Sequence, residues 1–131
     1  MAGSWTDTDV EQVRGRVAEL VAGLPGVVAE DSFGHVGFML GRKRIAWLLI
    51  DHHGDGRLAL CVKAPPGELD TLLAADPARY FRPAYVKSWV GVEMHEVEPD
   101  WSEIASLLEQ AWRMTAGKRA VAAYDAEHPG P

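Results

Sequence analysis

Apolar positions recur at helical spacing near the start of the chain: Val10, Val13, Val17, Leu20, Val21 and Leu24, with Glu11, Arg14, Arg16 and Glu19 largely between them. That period predicts an amphipathic helix. Asp7, Thr8 or Asp9 caps its start, and Gly23 with Pro25-Gly26 ends it. Strand segments follow at Val27 to Phe33, Val36 to Leu40, Arg44 to Ile50 and Leu58 to Val62. Gly41-Arg42-Lys43 makes a tight hairpin connection, and Asp51-His52-His53-Gly54-Asp55-Gly56 makes a longer turn with an Asp-Gly signal. From Ile45 to Ile50 both alternating faces are apolar, which predicts a central strand covered over most of both sides.

Pro65-Pro66-Gly67 breaks the fourth strand and opens a short helix, Glu68 to Ala75, with Glu68 and Asp70 at its positive end. An aromatic connector runs from Asp76 into a strand at Trp89 to Met94. Asp100 then caps a helix, with Glu103 three residues on, and Trp101, Ile104, Leu107, Leu108, Ala111, Trp112 and Thr115 form its apolar stripe. Gly117 interrupts it, Lys118 to Tyr124 adds a second short helix, and residues 125–131 read as a frayed tail. The order α-β-β-β-β-α-β-α predicts an α+β fold: one domain with a core over about residues 8–124, and an antiparallel or mixed sheet with helices mainly on one side.

A chain of 131 residues with 47% hydrophobic content buries a full core without disulfide or metal. The single cysteine, Cys61, sits between Leu60 and Val62 and reads as a small core hydrophobe rather than a nucleophile. Met1 to Asp9 has neither a cationic start nor an apolar run, and no stretch approaches the roughly 20 apolar residues of a membrane span. A soluble, cytoplasmic protein without membrane attachment is expected.

Charge divides the chain unevenly. Residues 1–34 carry two cations and six anions, residues 35–89 eight and five, and residues 90–131 three and eight. The net charge of −6 opposes bulk attraction to polyanions, yet the middle segment is basic, at +3. Within it, Arg79, Arg82 and Lys87 stand beside Tyr80, Phe81, Tyr85 and Trp89, a mixture able to face a polyanion with stackable rings. The same residues fit a buried connector whose cationic stems lie over apolar surface with their ends in water. Arg42, Lys43 and Arg44 at the hairpin tip likewise suit either phosphate contact or a solvated turn that guards against sheet aggregation.

Candidate chemistry is thin. Asp51, His53, Asp55 and Gly56 imitate the start of a calcium loop, but Val62 occupies the position that needs a bidentate glutamate. Zinc needs converging ligands, and Cys61 has no cysteine partner. No metal and no cofactor are expected. His35 has the right pKa range for a general base, but neighbouring Ser32 lacks a nucleophile frame, so a structural or ligand-contacting histidine is the stronger reading. No catalytic residue is assigned.

Phe33-Gly34-His35-Val36-Gly37-Phe38, Gly41 to Leu48, Leu58 to Lys63, Asp76-Pro77 with Tyr80-Phe81 and Pro83-Ala84-Tyr85, Trp89-Val90-Gly91-Val92, and Asp100-Trp101 leading to Ala111-Trp112-Arg113 and Lys118-Arg119 follow one another in order. In that order and spacing the chain resembles the MmcQ/YjbR family of small bacterial proteins, over about residues 10–122. The resemblance implies a secretion-chaperone-like α+β domain in a double-wing arrangement, and a DNA-binding label that rests on fold analogy. Val36 stands where the family often has proline. No family catalytic residues exist to carry over. The combined expectation is a small non-enzymatic binding domain. Its partner is DNA, bound weakly and salt-dependently through Arg42, Lys43, Arg44, Arg79, Arg82 and Lys87, with His35, Tyr80, Tyr85 and Trp89 as further ligand or surface contacts. A protein–protein adaptor or chaperone-like module is the alternative, and a small-molecule binder or enzyme centred on His35 is the second.

Overall fold

Thr6, one residue before the expected caps, starts the first helix of the computed structural model, which describes residues 5–84 and 86–129. Its hydroxyl accepts the Asp9 N–H at 3.1 Å while the Asp9 carboxylate accepts the Thr6 N–H at 2.8 Å, a reciprocal capping box. This helix, α1, spans Asp7–Val21, and strands β1 (Val27–Ser32), β2 (His35–Leu40), β3 (Lys43–Ile50) and β4 (Leu58–Val62) follow. The chain continues through α2 (Glu68–Ala75), β5 (Tyr80–Phe81), β6 (Val90–Glu93), α3 (Trp101–Thr115) and α4 (Lys118–Glu127). No helix among the described residues is long and apolar enough to cross a membrane.

All strand pairs are antiparallel, in the order β1-β2-β3-β4-β6-β5. The sequence reading left antiparallel and mixed sheets open; the sheet is antiparallel. The chain leaves β4, forms α2, lays down β5 as an edge, and turns back so that β6 fills the place between β4 and β5. Period-two alternation sends one set of side chains toward the helices. Val36, Leu48, Leu60, Val92 and Tyr80 make one cross-sheet row, and Phe38, Ala46, Val62 and Val90 the next. Against these rows pack Val17 and Val21 of α1, Leu69 and Leu72 of α2, and Ile104, Leu107, Leu108, Ala111 and Trp112 of α3.

A β-bulge shapes the β2–β3 hairpin. Phe38 pairs with Ala46 but Met39 pairs with Arg44, so Ile45 is the extra residue. Ile45 and Ala46 are both fully buried. Arg44 therefore leaves the tip and joins the sheet face turned away from the helices.

The C-terminal helix α4 runs to Glu127, three residues past Tyr124, because Arg113 of α3 holds Asp125 through paired bonds of 3.2 and 2.6 Å.

Candidate functional site

The face of the sheet away from the helices carries a row of Gly37, Trp47, Cys61, Gly91 and Phe81. Its two glycines leave slots for larger groups. A Cβ at Gly37 would lie 3.1 Å from Arg44 Nε, so the guanidinium occupies the vacated space, its carbon 3.9 Å from the centre of the Trp47 ring. A Cβ at Gly91 would lie 2.7 Å from the Phe81 ring, and Arg57 covers that ring at 4.0 Å. Gly91→Ala must displace Phe81 or bend β6. It should cost about 1–3 kcal/mol, the range for overpacking, in a urea titration; a change near zero would show that Phe81 moves freely.

Cys61 lies 2% exposed beneath a narrow slot of about 70 Å³ walled by Trp47, Phe81, Pro83 and Val86. Burial pushes its thiol up to about 12, the opposite of an activated nucleophile. On the same face Glu93 is a buried carboxylate kept satisfied by its neighbours: one oxygen accepts the His95 and Glu96 N–H groups at 2.8 and 2.9 Å. Arg57 stands 3.9 Å from its other oxygen.

Toward the β1–β2 turn this face opens into a cavity of about 410 Å³ bounded by Ser32, Phe33, His35, Arg44, Trp47, His52 and His53. His35 Nδ1 accepts the Ile50 N–H at 3.0 Å, which assigns the ring proton to Nε2 and makes that nitrogen a donor. Burial, and secondarily His52, lower the His35 pKa, while Asp55 opposes the shift. Among the described residues the His35 ring bonds to the Ile50 N–H and not to the side chain of Ser32, its ladder partner across the turn. Arg44 Nε and Trp47 Nε1 are buried donors with no acceptor among the described residues, and none of the described residues that line the cavity is a carboxylate, although Asp55 is near enough to act on His35.

The backbone around this cavity is strained. Four non-glycine residues among those described have positive φ: Phe33, Asp51, His53 and Ser88. Phe33 and His53 line the cavity, and Asp51 immediately precedes His52. Each left-handed non-glycine residue costs on the order of 1–3 kcal/mol, and such strain gathers at functional sites. Phe33 and Gly34 form a two-residue hairpin turn with φ of 49° and 83°, and the Phe33 side chain is 100% exposed. The first strand thus ends at Ser32, and Phe33, read from sequence as strand, is the tip of a turn.

The six cations proposed for DNA contact are dispersed. Arg42 and Lys43 stay exposed at the β2–β3 turn, with no ion pair among the described residues. They border a cavity of about 380 Å³ whose far wall is Gly117 and Ala120, with exposed Lys118 and Arg119 between those two. Arg44 lies on the outer face. Arg79 and Arg82 flank β5, three strand spacings from β3, or roughly 14 Å. Arg79 is tied to Asp76 at 2.7 Å and to the Glu98 carbonyl at 2.9 Å; its hydrogen bond holds the Asp76 carboxyl below its ordinary range. Arg82 pairs with Asp70 at 3.1 Å. Lys87 is exposed in a separate turn. They do not form one stripe.

Tyr80, expected at the surface, is a core residue 5% exposed, with its hydroxyl pushed up to about 12 by burial. Trp89 is half-buried just before β6. Tyr85 lies outside the described residues. Among those described, no group of three or more His, Cys, Asp or Glu is placed to hold a metal ion. Phe33, Trp47 and the Arg57–Phe81 stack were not singled out from sequence. The Phe-Gly pair between two alternating segments was the one legible hint.

A family model described as YjbR matches residues 22–114. The crystal structure of Deinococcus radiodurans protein DR2400, with family-model domain DUF419, aligns with a TM-score of 0.60 over 93% of this chain and 88% of that one, at 22% identity. That likeness speaks to the fold alone. No curated protein matches the chain.

Proposed function

The chain belongs to the YjbR family, and from that premise we propose that it is a non-catalytic, cytoplasmic binding domain whose partner is nucleic acid, bound weakly and reversibly. One observation carries the reading. Arg42 and Lys43 are exposed, have no ion pair among the described residues, and face the start of α4, where Lys118 and Arg119 add two more cations. None of the described residues that line the cavity between them is a carboxylate. Arg79 and Arg82, already neutralised by Asp76 and Asp70, leave the proposed contact. The overall charge of −6 opposes binding. Beyond a Debye length of about 8 Å at physiological salt that opposition is screened, so a local cationic end still acts.

Two to four phosphate contacts give a slope of log affinity against log salt of roughly −2 to −4 on duplex DNA. In a titration of random duplex at low and moderate salt, Arg42→Ala with Lys43→Ala should weaken binding to every sequence and flatten the slope, because phosphate contacts position without specifying. Arg79→Ala with Arg82→Ala should leave both unchanged. Absence of a complex at low salt, or equal loss in both double variants, would discard this contact. A protein partner is the second reading, favoured by the fully exposed Phe33 and by Val28, 63% exposed on edge strand β1.

A further inference from the structure

The cavity between Phe33, His35, Arg44 and Trp47 lies on the outer face, apart from the cationic end assigned to nucleic acid. Three of the residues that line it bring N–H donors. Arg44 has no ion pair among the described residues, His35 presents Nε2–H because Nδ1 is occupied by the Ile50 N–H, and Trp47 Nε1 is buried with no acceptor among them. Buried donors are rarely left without partners. With Arg44 Nε enclosed between Gly37 and the indole, the guanidinium's pairing capacity rests with its terminal nitrogens. The apolar part of the wall is aromatic: the Phe33 ring, wholly exposed, and Trp47. The volume, about 410 Å³, is that of a small-ligand pocket.

The charge count selects the ligand head. Arg44 is the one Arg or Lys among the described residues that line the cavity. A single guanidinium matches a planar monoanion, which it can grip through two parallel N–H bonds, better than a dianion. We propose that this cavity binds a small organic carboxylate with a flat apolar body. The carboxylate sits on Arg44 and His35 Nε2–H, and the body lies against Phe33 and Trp47. The left-handed backbone at Phe33, Asp51 and His53 fits this assignment, since it fixes the tip and the His52 wall around the opening before a ligand arrives.

The test uses the intact chain, titrated in separate arms with benzoate, acetate, phenyl phosphate and inorganic phosphate, following the Trp47 indole N–H and His35 ring signals by NMR. Benzoate should shift both signals saturably. Arg44→Gln should weaken benzoate by at least about tenfold, the loss expected for one charge-assisted pair. Phe33→Ser, at a fully exposed position that leaves the core intact, should weaken benzoate while sparing acetate. Equal benzoate affinity in Arg44→Gln and parent, or no saturable shift at these signals, would overturn the proposal. Tighter binding of phenyl phosphate than benzoate would overturn the choice of a monoanion. Inorganic phosphate acting at the cationic end would shift signals near Arg42 and Lys43 instead, and would vanish in the Arg42→Ala, Lys43→Ala variant. Loss of nucleic-acid binding is thereby separable from loss of this cavity.

Discussion

Replacing Trp112 with alanine is expected to lower the unfolding free energy by about 3–5 kcal/mol, the range for emptying a fully buried aromatic site. Trp112 is 0% exposed and lies where three elements meet. Its Nε1 donates to the Pro25 carbonyl at 2.9 Å, tying α3 to the turn that follows α1. Its ring packs against Tyr124 of α4 with centroids 5.0 Å apart, and the Tyr124 hydroxyl donates back to Glu109 of α3 at 2.8 Å. Alanine removes the packing and strands the carbonyl together, a large fraction of the roughly 5–15 kcal/mol that holds a domain folded. Trp112→Phe keeps most of the packing and isolates the hydrogen bond, at about 1 kcal/mol. Trp101, which shares the apolar stripe of α3 with Trp112 in the sequence, is only half-buried at the first position of that helix, with Arg16 over its ring at 5.1 Å. Trp101→Ala should cost less, about 1–2 kcal/mol by area. Urea titrations with unchanged m-values check the order. A Trp112→Ala loss below that of Trp101→Ala would mean that α3 does not rest on this residue.

Long, strongly periodic elements were legible because burial repeats along them. Ile104, Leu107, Leu108, Ala111 and Trp112 recur at helical spacing, and all are buried. In β3 the doubly apolar pattern predicted a central strand, and β3 lies between β2 and β4. The outer side was overestimated: Trp47 and Leu49 are only half-buried, because the connector roofs that face in part. What sequence hid depends on partners distant in the chain. A two-residue strand has no periodicity, so β5 exists only through its pairing with β6, which turns Tyr80 into the core opposite Val92. The triplet Arg42, Lys43 and Arg44 looks like one charged tip until the bulge at Ile45 sends Arg44 to the outer face. Arg82 looks free until α2 brings Asp70 beside it. The candidate cavity is the product of such non-local events: a bulge, a left-handed Phe33, and a turn that folds His52 to within 5.2 Å of His35.

Raising the pH should destabilise the protein steeply above about pH 9, and Cys61 is the principal reason. Its thiol is pushed from 9.0 up to about 12, chiefly because burial penalises the thiolate, with Asp55 adding to the shift. Below pH 9 the thiol is protonated in both states and contributes nothing to the slope. Between about 9 and 12 the unfolded chain has lost that proton while the folded chain keeps it, so stability falls as pH rises, by about 1.4 kcal/mol per unit. Over the whole window the loss is about 4 kcal/mol. Tyr80, raised from 10.0 to about 12 mainly by burial, acts in the same direction but only above pH 10. The interval from pH 9 to 10 therefore reports on Cys61 alone of the two. Urea titrations there should give Cys61→Ala a flatter dependence than the parent, whatever the offset at neutral pH, and Tyr80→Phe should match the parent. The same burial sets the reactivity of the thiol. Because Pro83, Ala84 and Val86 roof the slot over Cys61, a thiol reagent at pH 7 should label the native protein only as fast as that segment lifts, and the denatured chain at once. Parallel pH curves for Cys61→Ala and parent, or rapid stoichiometric labelling of the native protein, would place the connector off the sheet and leave the outer face open from Trp47 to Phe81.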